Sequence, residues 1–122
     1  MKKKPNIPAP MRLTDAEISA LSCALDFLAH CDSYAYDTAK FDHNDVPRLA
    51  WAIESDKSIK KRRDFRIALA AIDLSVHSVK TASPVLDQVT AVFPDLIPDL
   101  TDALPLLEML RPRLTAHAAK QN

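Results

Sequence analysis

The chain reads as an all-α protein: a compact single-domain bundle of five or six helices, mainly antiparallel, behind a flexible basic N-terminal arm. Three observations lead there. None of the 122 residues is glycine and nine are proline, whereas average usage puts glycine at about 7%. Without glycine there is no Gly-rich phosphate loop, dinucleotide fingerprint or Asn-Gly hairpin, and strand-rich folds lose their usual turns. Apolar residues recur at three- and four-residue spacing, the helical period. Finally, Thr14-Asp15-Ala16-Glu17 forms a capping box at the head of the first such stripe.

With 122 residues and 48% apolar content, the chain supplies one domain and one core. No apolar run approaches the roughly 20 residues of a membrane span. Met1-Lys2-Lys3-Lys4-Pro5 is followed by no apolar stretch, so no secretory leader is expected and a cytoplasmic location is the default. Cys23 and Cys31 are the only cysteines. On one helix they would stand about 12 Å apart along the axis, too far to bridge, which suits a reducing compartment. Sixteen Lys/Arg balance sixteen Asp/Glu. Residues 1–66 hold twelve basic against ten acidic groups and residues 67–122 four against six, an asymmetry too small to name a partner.

Residues 1–12 carry four basic residues and three prolines and read as an extended arm. Residues 13–116 read as the bundle and 117–122 as a polar tail. In the first helix Thr14 is the N-cap, Glu17 sits at N3, and Leu13 with Ile18 makes a hydrophobic staple. Ile18, Leu21, Leu25 and Leu28 continue one stripe. That helix either runs on to about Lys40 or breaks near Asp32-Ser33. Asn44 or Asp45 caps a second helix with Pro47 in its first turn, and Trp51 stands off its apolar stripe of Val46, Leu49, Ala50 and Ile53.

Ser55-Asp56-Lys57-Ser58 offers a restart into a long helix striped by Phe65, Leu69, Ile72, Val76 and Val79. Ile67 and Leu74 lie off that stripe, which predicts a central position in the bundle. Ser83 caps the next piece with Pro84 at N1, and Val85 to Phe93 form it. The repeated Pro-Asp-Leu units at 94 and 98 read as a local turn or tight helical ramp. Leu104, Leu107, Leu110 and Leu114 belong to a last helix, kinked or ended at Pro112.

Four constellations carry potential chemistry. Lys57, Lys60, Lys61, Arg62, Arg63 and Arg66 put six positive charges in ten residues, enough to neutralise phosphates. At about 100° per residue they spread around a helix, and they sit at the end where the helix dipole disfavours cations. Local stability does not explain them. A solvated helix start is the plain alternative. Asp26 with His30 and Asp73 with His77 each stand at i,i+4 within similar segments. Facing each other, the four could hold a metal ion or pair carboxylate with imidazole for acid–base work; two chance surface pairs are the plain alternative. Tyr34, Tyr36, Phe41 and Trp51 could form a protein-binding surface or close the end of a core.

Arg111 and His117 stand six apart in the last helical segment, a spacing that resembles the Arg–His signature of HEPN-type RNases, which are also small helical bundles. The resemblance covers two residues, and Pro112 replaces the polar residue that follows the arginine there, so the activity is not carried over. No nucleophile has a base at suitable spacing, no cofactor is expected, and no metal set is complete. The expected function is therefore that of a non-enzymatic adaptor, inhibitor or regulatory subunit, of the kind found among accessory factors of phages and mobile elements, binding another protein through a helical face. The alternative is nucleic-acid binding through residues 57–66 and the Lys2–Lys4 arm. A metal-dependent helical enzyme is the third reading.

Overall fold

A computed structural model describes residues 10–30 and 44–119, and shows a helical bundle with five helices and one two-stranded ribbon among them. In chain order the elements are β1 (Met11–Arg12), α1 (Asp15–Ala29), α2 (Asp45–Asp56), β2 (Ser58–Ile59), α3 (Arg62–Lys80), α4 (Val85–Val92) and α5 (Leu96–Ala119). No helix in the described residues is long and apolar enough to cross a membrane. Tyr34, Tyr36, Phe41, Cys31 and the lysines at 2–4 lie outside the described residues.

The capping box forms as its spacing predicts. The Thr14 N–H donates to Glu17 Oε1 at 2.8 Å and the Glu17 N–H to Thr14 Oγ1 at 3.2 Å, closing two of the donors that a helix start leaves unpaired. Leu13 and Ile18 are both buried beside it. At α2, Asn44 occupies the N-cap position without a side-chain cap bond. At α4, the Val85 N–H donates to Ser83 Oγ at 3.3 Å and Pro84 is already helical (φ −57°, ψ −21°), the arrangement the Ser-Pro pair predicts.

Two helix ends show how a glycine-free chain stops. After α3, Ala82 takes φ 52°, the Ser83 N–H bonds the Ser78 carbonyl at 2.9 Å, and the Ala82 N–H bonds the Val79 carbonyl at 3.3 Å. These are the two bonds of a Schellman stop with alanine where glycine is usual. After α2, Lys57 takes φ 54° and its N–H bonds the Ile53 carbonyl at 2.8 Å, the simpler left-handed stop. Each Cβ pays the steric cost of that region.

Three expectations need correction. Residues 11 and 12 are not arm: β1 pairs antiparallel with β2, Met11 opposite Ile59 and Arg12 opposite Ser58. Met11 is only 3% exposed, because one apolar side chain and a ladder bond hold the segment against the α2–α3 junction. The long central helix begins at Arg62 rather than at Ser55–Ser58, since the left-handed Lys57 and β2 intervene. The last helix starts at Leu96, earlier than the leucine stripe from Leu104 suggested, and continues through Pro98, Pro105 and Pro112 to Ala119. Pro94 and Asp95 form a turn before it, the second Pro-Asp-Leu unit is its first turn, and the tail is helical through residue 119.

The geometry of the prolines explains this last difference. Pro98 falls in the first turn, where its missing N–H costs nothing. Pro105 and Pro112 follow at seven-residue steps, nearly two helical turns each, and all three are exposed. The carbonyls they leave unpaired, at Thr101 and Glu108, belong to exposed residues on the same side. Opposite that proline edge, Leu100, Leu104, Leu107, Leu110 and Leu114 are buried.

This stripe packs against α1 and α3, which together with α5 enclose one hydrophobic cluster around Phe27, Phe65, Leu21, Leu25 and Ile72. Helix α5 runs antiparallel to both. Arg113 near its end pairs with Glu17 at the start of α1, and Lys80, Asp73 and Phe65 on α3 meet Glu108, Arg111 and His117 in reverse order. Consequently α1 and α3 run the same way, with β1 and β2 joined at their N-terminal ends.

Three predictions follow from this packing. Ala82→Gly removes the Cβ penalty and is expected to stabilise the protein by about 1 kcal/mol in urea unfolding; destabilisation would show that the left-handed stop is wrong. Pro105→Ala restores a donor to the Thr101 carbonyl at an exposed site and is expected to stabilise by about 1–3 kcal/mol, whereas a loss would show that the bundle needs a proline bend. The third concerns Glu17. Burial raises its pKa, but the Thr14 backbone N–H and the Arg113 charge outweigh burial and hold it below its ordinary 4.5. The fold therefore prefers the ionised carboxylate, whose contribution is full above the ordinary value and lost as pH falls through the lowered one. Between about pH 5 and 3, wild-type stability should fall more steeply than that of Glu17→Gln; parallel profiles would contradict the assignment.

Candidate functional site

The basic run does not form one charged face. Lys57 ends α2, Lys60 and Lys61 lie in the connection after β2, and only Arg62, Arg63 and Arg66 are helical. Three of the six are engaged by carboxylates: Lys57 Nζ with Asp15 at 3.3 Å, Lys60 Nζ with Asp56 at 3.6 Å, and Arg63 with Asp45 at 3.9 Å. Asp45, largely buried at the head of α2, also takes a short bond from Arg48. Asp64 lies half-buried among Lys61, Arg63 and Arg48; burial raises its pKa despite those three cations. Arg62 and Arg66 are exposed and make no ion pair among the described residues. Between α2 and α3 the junction encloses a cavity of about 130 Å³ lined by Arg48, Leu49, Ala52, Asp56, Ser58, Lys60, Lys61 and Asp64.

Trp51 stands off the buried stripe of α2, and of the two positions left open for it, core margin or surface, it takes the surface. Val46, Leu49 and Ile53 are buried, whereas Trp51 is 70% exposed. Its neighbours one turn away, Pro47, Arg48, Glu54 and Ser55, are exposed too, so the outward face of α2 presents an indole ringed by polar groups.

The two Asp/His pairs do not meet. His30 and Asp26 line a depression with Phe93, Pro94, Asp95 and Asp99, while Asp73 and His77 line another with Lys80, Glu108 and Arg111; the two share no residue. Within α1, His30 Nδ1 lies 2.7 Å from the Asp26 backbone carbonyl and its ring packs on Phe93 with centroids 4.2 Å apart, so the imidazole is held by backbone and an aromatic rather than by the Asp26 carboxylate. Asp73 is taken by Arg111 in a two-point pair, Nε to Oδ1 at 2.5 Å and an Nη to Oδ2 at 3.2 Å. Among the described residues no three His, Cys, Asp or Glu side chains come together as a metal site. Arg111 and His117 are likewise separated: Arg111 reaches Asp73, and His117 stacks on Phe65, centroids 5.5 Å apart. Asp73 and Phe65 are eight residues, about 12 Å, apart on α3.

Sequence reasoning missed a groove between α1 and α5. Its sides include Ala16, Ala20 and Cys23 against Asp99, Asp102 and Ala103, and it shares Asp99 with the depression holding Asp26, Asp95 and Phe93. Burial, then the charges of Asp99 and Asp26, raise the pKa of the Cys23 thiol above its usual range. The signal in the sequence was Asp99 and Asp102 at helical spacing just after Asp95, blurred because residues 94–101 read as either a local turn or a tight helical ramp. The Glu17–Arg113 and Asp73–Arg111 pairs were also invisible, because nothing local links residues 96 and 38 positions apart.

The chain matches no protein-family model, no curated protein and no solved structure.

Proposed function

We propose that this chain is a non-enzymatic binding protein that docks a protein partner on the outward face of α2. The observation that carries the reading is Trp51, the one tryptophan of the chain, left 70% exposed on a helix whose other large apolar residues are buried. Tryptophan and arginine are the residues most enriched at the energetic centres of protein interfaces, and Arg48 lies one turn before the indole. An exposed tryptophan contributes little to the fold of its own chain, so its cost to solubility is explained by a partner that covers it. The ion pairs of Lys57, Lys60 and Arg63 support a protein over a nucleic acid as that partner: half of the basic run is matched within the chain, whereas a backbone-tracking surface keeps its cations for phosphates. The raised pKa of Cys23 and the separate engagements of Arg111 and His117 support a non-catalytic role.

The test is capture from a lysate of the native host, comparing wild type, Trp51→Ala and the triple variant Lys61→Gln/Arg62→Gln/Arg66→Gln, each with and without nuclease. Trp51→Ala should leave unfolding free energy within about 0.5 kcal/mol, as surface changes do. A captured protein that survives nuclease and is lost with Trp51→Ala is the expected result. Capture that nuclease abolishes, that survives Trp51→Ala and that falls in the triple variant would replace this reading with nucleic-acid binding.

A further inference from the structure

The corner between α4 and α5 leaves large apolar side chains outside the core. Val92, the last residue of α4, is 67% exposed, and Phe93 beside it is 40% exposed. The Phe93 ring is held against His30 at the end of α1. Val92, Phe93 and Pro94 line the depression that Asp26, Asp95 and Asp99 also border. Through Asp99 that depression adjoins the groove between α1 and α5, whose walls are small side chains, Ala16, Ala20 and Cys23 against Ala103. Grouped apolar residues at a groove, rimmed by polar groups, are the usual form of an interaction surface.

The charges around this surface are of one sign. Helices α1 and α4 contain no lysine or arginine, and α5 has none before Arg111. Asp26, Glu54, Asp95, Asp99 and Asp102 make no ion pair among the described residues. By contrast Asp15, Glu17, Asp45, Asp56, Asp73 and Glu108 are all paired. The dipole of α5 accounts for Asp99 in its first turn. It does not account for Asp26, which sits in the last turn of α1, where a carboxylate is unfavourable and no basic residue stands. Burial raises the Asp26 pKa; His30 opposes that rise and Glu54 adds to it. After burial, Asp99 and Asp26 both raise the Cys23 pKa, so carboxylates from α5 and α1 converge on the groove. Local stability explains neither this convergence nor the exposed Val92.

We propose that the groove between α1 and α5 docks a cationic amphipathic helix of a partner protein. The apolar edge of that helix lies on Val92, Phe93 and the alanine walls, and its lysines or arginines meet Asp26, Asp95, Asp99 and Asp102. Helices dock by laying an apolar face into a groove, and opposite charge at the rim steers the encounter and fixes its register. Ala16 to Asp26 spans about 15 Å of α1, close to three helical turns. The small side chains at Ala16, Ala20 and Cys23, spaced by four and three, let a helix lie close. A second copy of the chain fits less well. Its unpaired cations Arg62 and Arg66 stand on α3, which exposes no large apolar residue. The site uses neither Trp51 nor Arg48, and it stands whether or not a partner docks there.

The test uses the full chain and a synthetic peptide of leucine and lysine in helical spacing, about 14 residues long, or roughly 20 Å as a helix. Backbone amide NMR shifts are followed as the peptide is added. Two control peptides carry glutamate in place of lysine and serine in place of leucine. Saturable shifts on α1 between Ala16 and Asp26 and on residues 92–106 are expected with the first peptide alone. Asp99→Asn/Asp102→Asn and Val92→Ser, all at exposed positions, should each weaken binding about tenfold. Asp87→Asn/Glu108→Gln removes as much charge outside the groove and should change binding by less than about twofold. Trp51→Ala should leave it unchanged. Shifts that never saturate, equal binding of either control peptide, or an equal loss in Asp87→Asn/Glu108→Gln would overturn the site. So would self-association of the chain, without peptide binding, that Asp99→Asn/Asp102→Asn and Arg62→Gln/Arg66→Gln both abolish, since the groove then belongs to a second copy.

Discussion

A helix with two interior prolines holds this bundle together, and it can exist only because of where those prolines point. Each one removes a donor and crowds the preceding turn, at about 3 kcal/mol in an isolated helix. In α5 they recur every seven residues, so both face solvent and the carbonyls they orphan face water. The opposite edge is the leucine stripe at 100, 104, 107, 110 and 114, buried against α1 and α3. Burying such side chains is worth roughly 1.5–3 kcal/mol each, which outweighs the proline cost. Helix α5 is therefore a product of packing. The antiparallel arrangement, the parallel run of α1 and α3, and the grooves on either side of α5 all depend on it.

Charge is distributed around this core in two ways. Along the three long helices, ion pairs join elements distant in sequence: Glu17 with Arg113, Asp73 with Arg111, Lys80 with Glu108. Of these only Glu17 is buried, and it alone also caps a helix, so it carries more than the exposed pairs, whose contribution is small. Elsewhere the charges collect unmatched. Asp26, Asp95, Asp99 and Asp102 line the α1–α5 groove without ion pairs among the described residues, while Lys61, Arg62 and Arg66 crowd the start of α3. The chain is neutral as a whole and polar in its surface fields. Such a distribution gives orientation to encounters with charged ligands while leaving the net charge near zero.

What was legible in the sequence was local. The capping box, the staple of Leu13 and Ile18, the Ser83-Pro84 start of α4 and the displacement of Trp51 from its apolar stripe each rest on residues within one or two turns of one another. The first three are present as their spacing implies, and the structure decides Trp51 between core margin and surface in favour of the surface. Three things were not legible, for different reasons. Strands of two residues have no period to detect, so β1 and β2 were absorbed into an arm and a helix start. The prolines of α5 were read by their intrinsic cost, and only the opposite leucine edge shows that tertiary burial overrides it. The separation of Asp26/His30 from Asp73/His77, and of Arg111 from His117, depends on register between helices, which no spacing within one segment encodes. The absence of glycine argued against glycine-dependent turns and Gly-rich phosphate loops. Its actual consequence at helix ends is more specific, with Lys57 and Ala82 taking left-handed positions that glycine would fill at no steric cost.

Because packing and not local preference makes α5 helical, α5 should have no stability of its own. Native-state hydrogen exchange measures this directly. The amides of Leu104, Leu107 and Leu110 on α5 should exchange only through the same global opening as those of Leu25 on α1 and Ala71 on α3, with equal opening free energies and equal losses in Leu107→Ala, which removes about 2–5 kcal/mol. If the α5 amides open at a clearly lower free energy while α1 and α3 stay protected, the helix is an appendage and its burial does not organise the bundle.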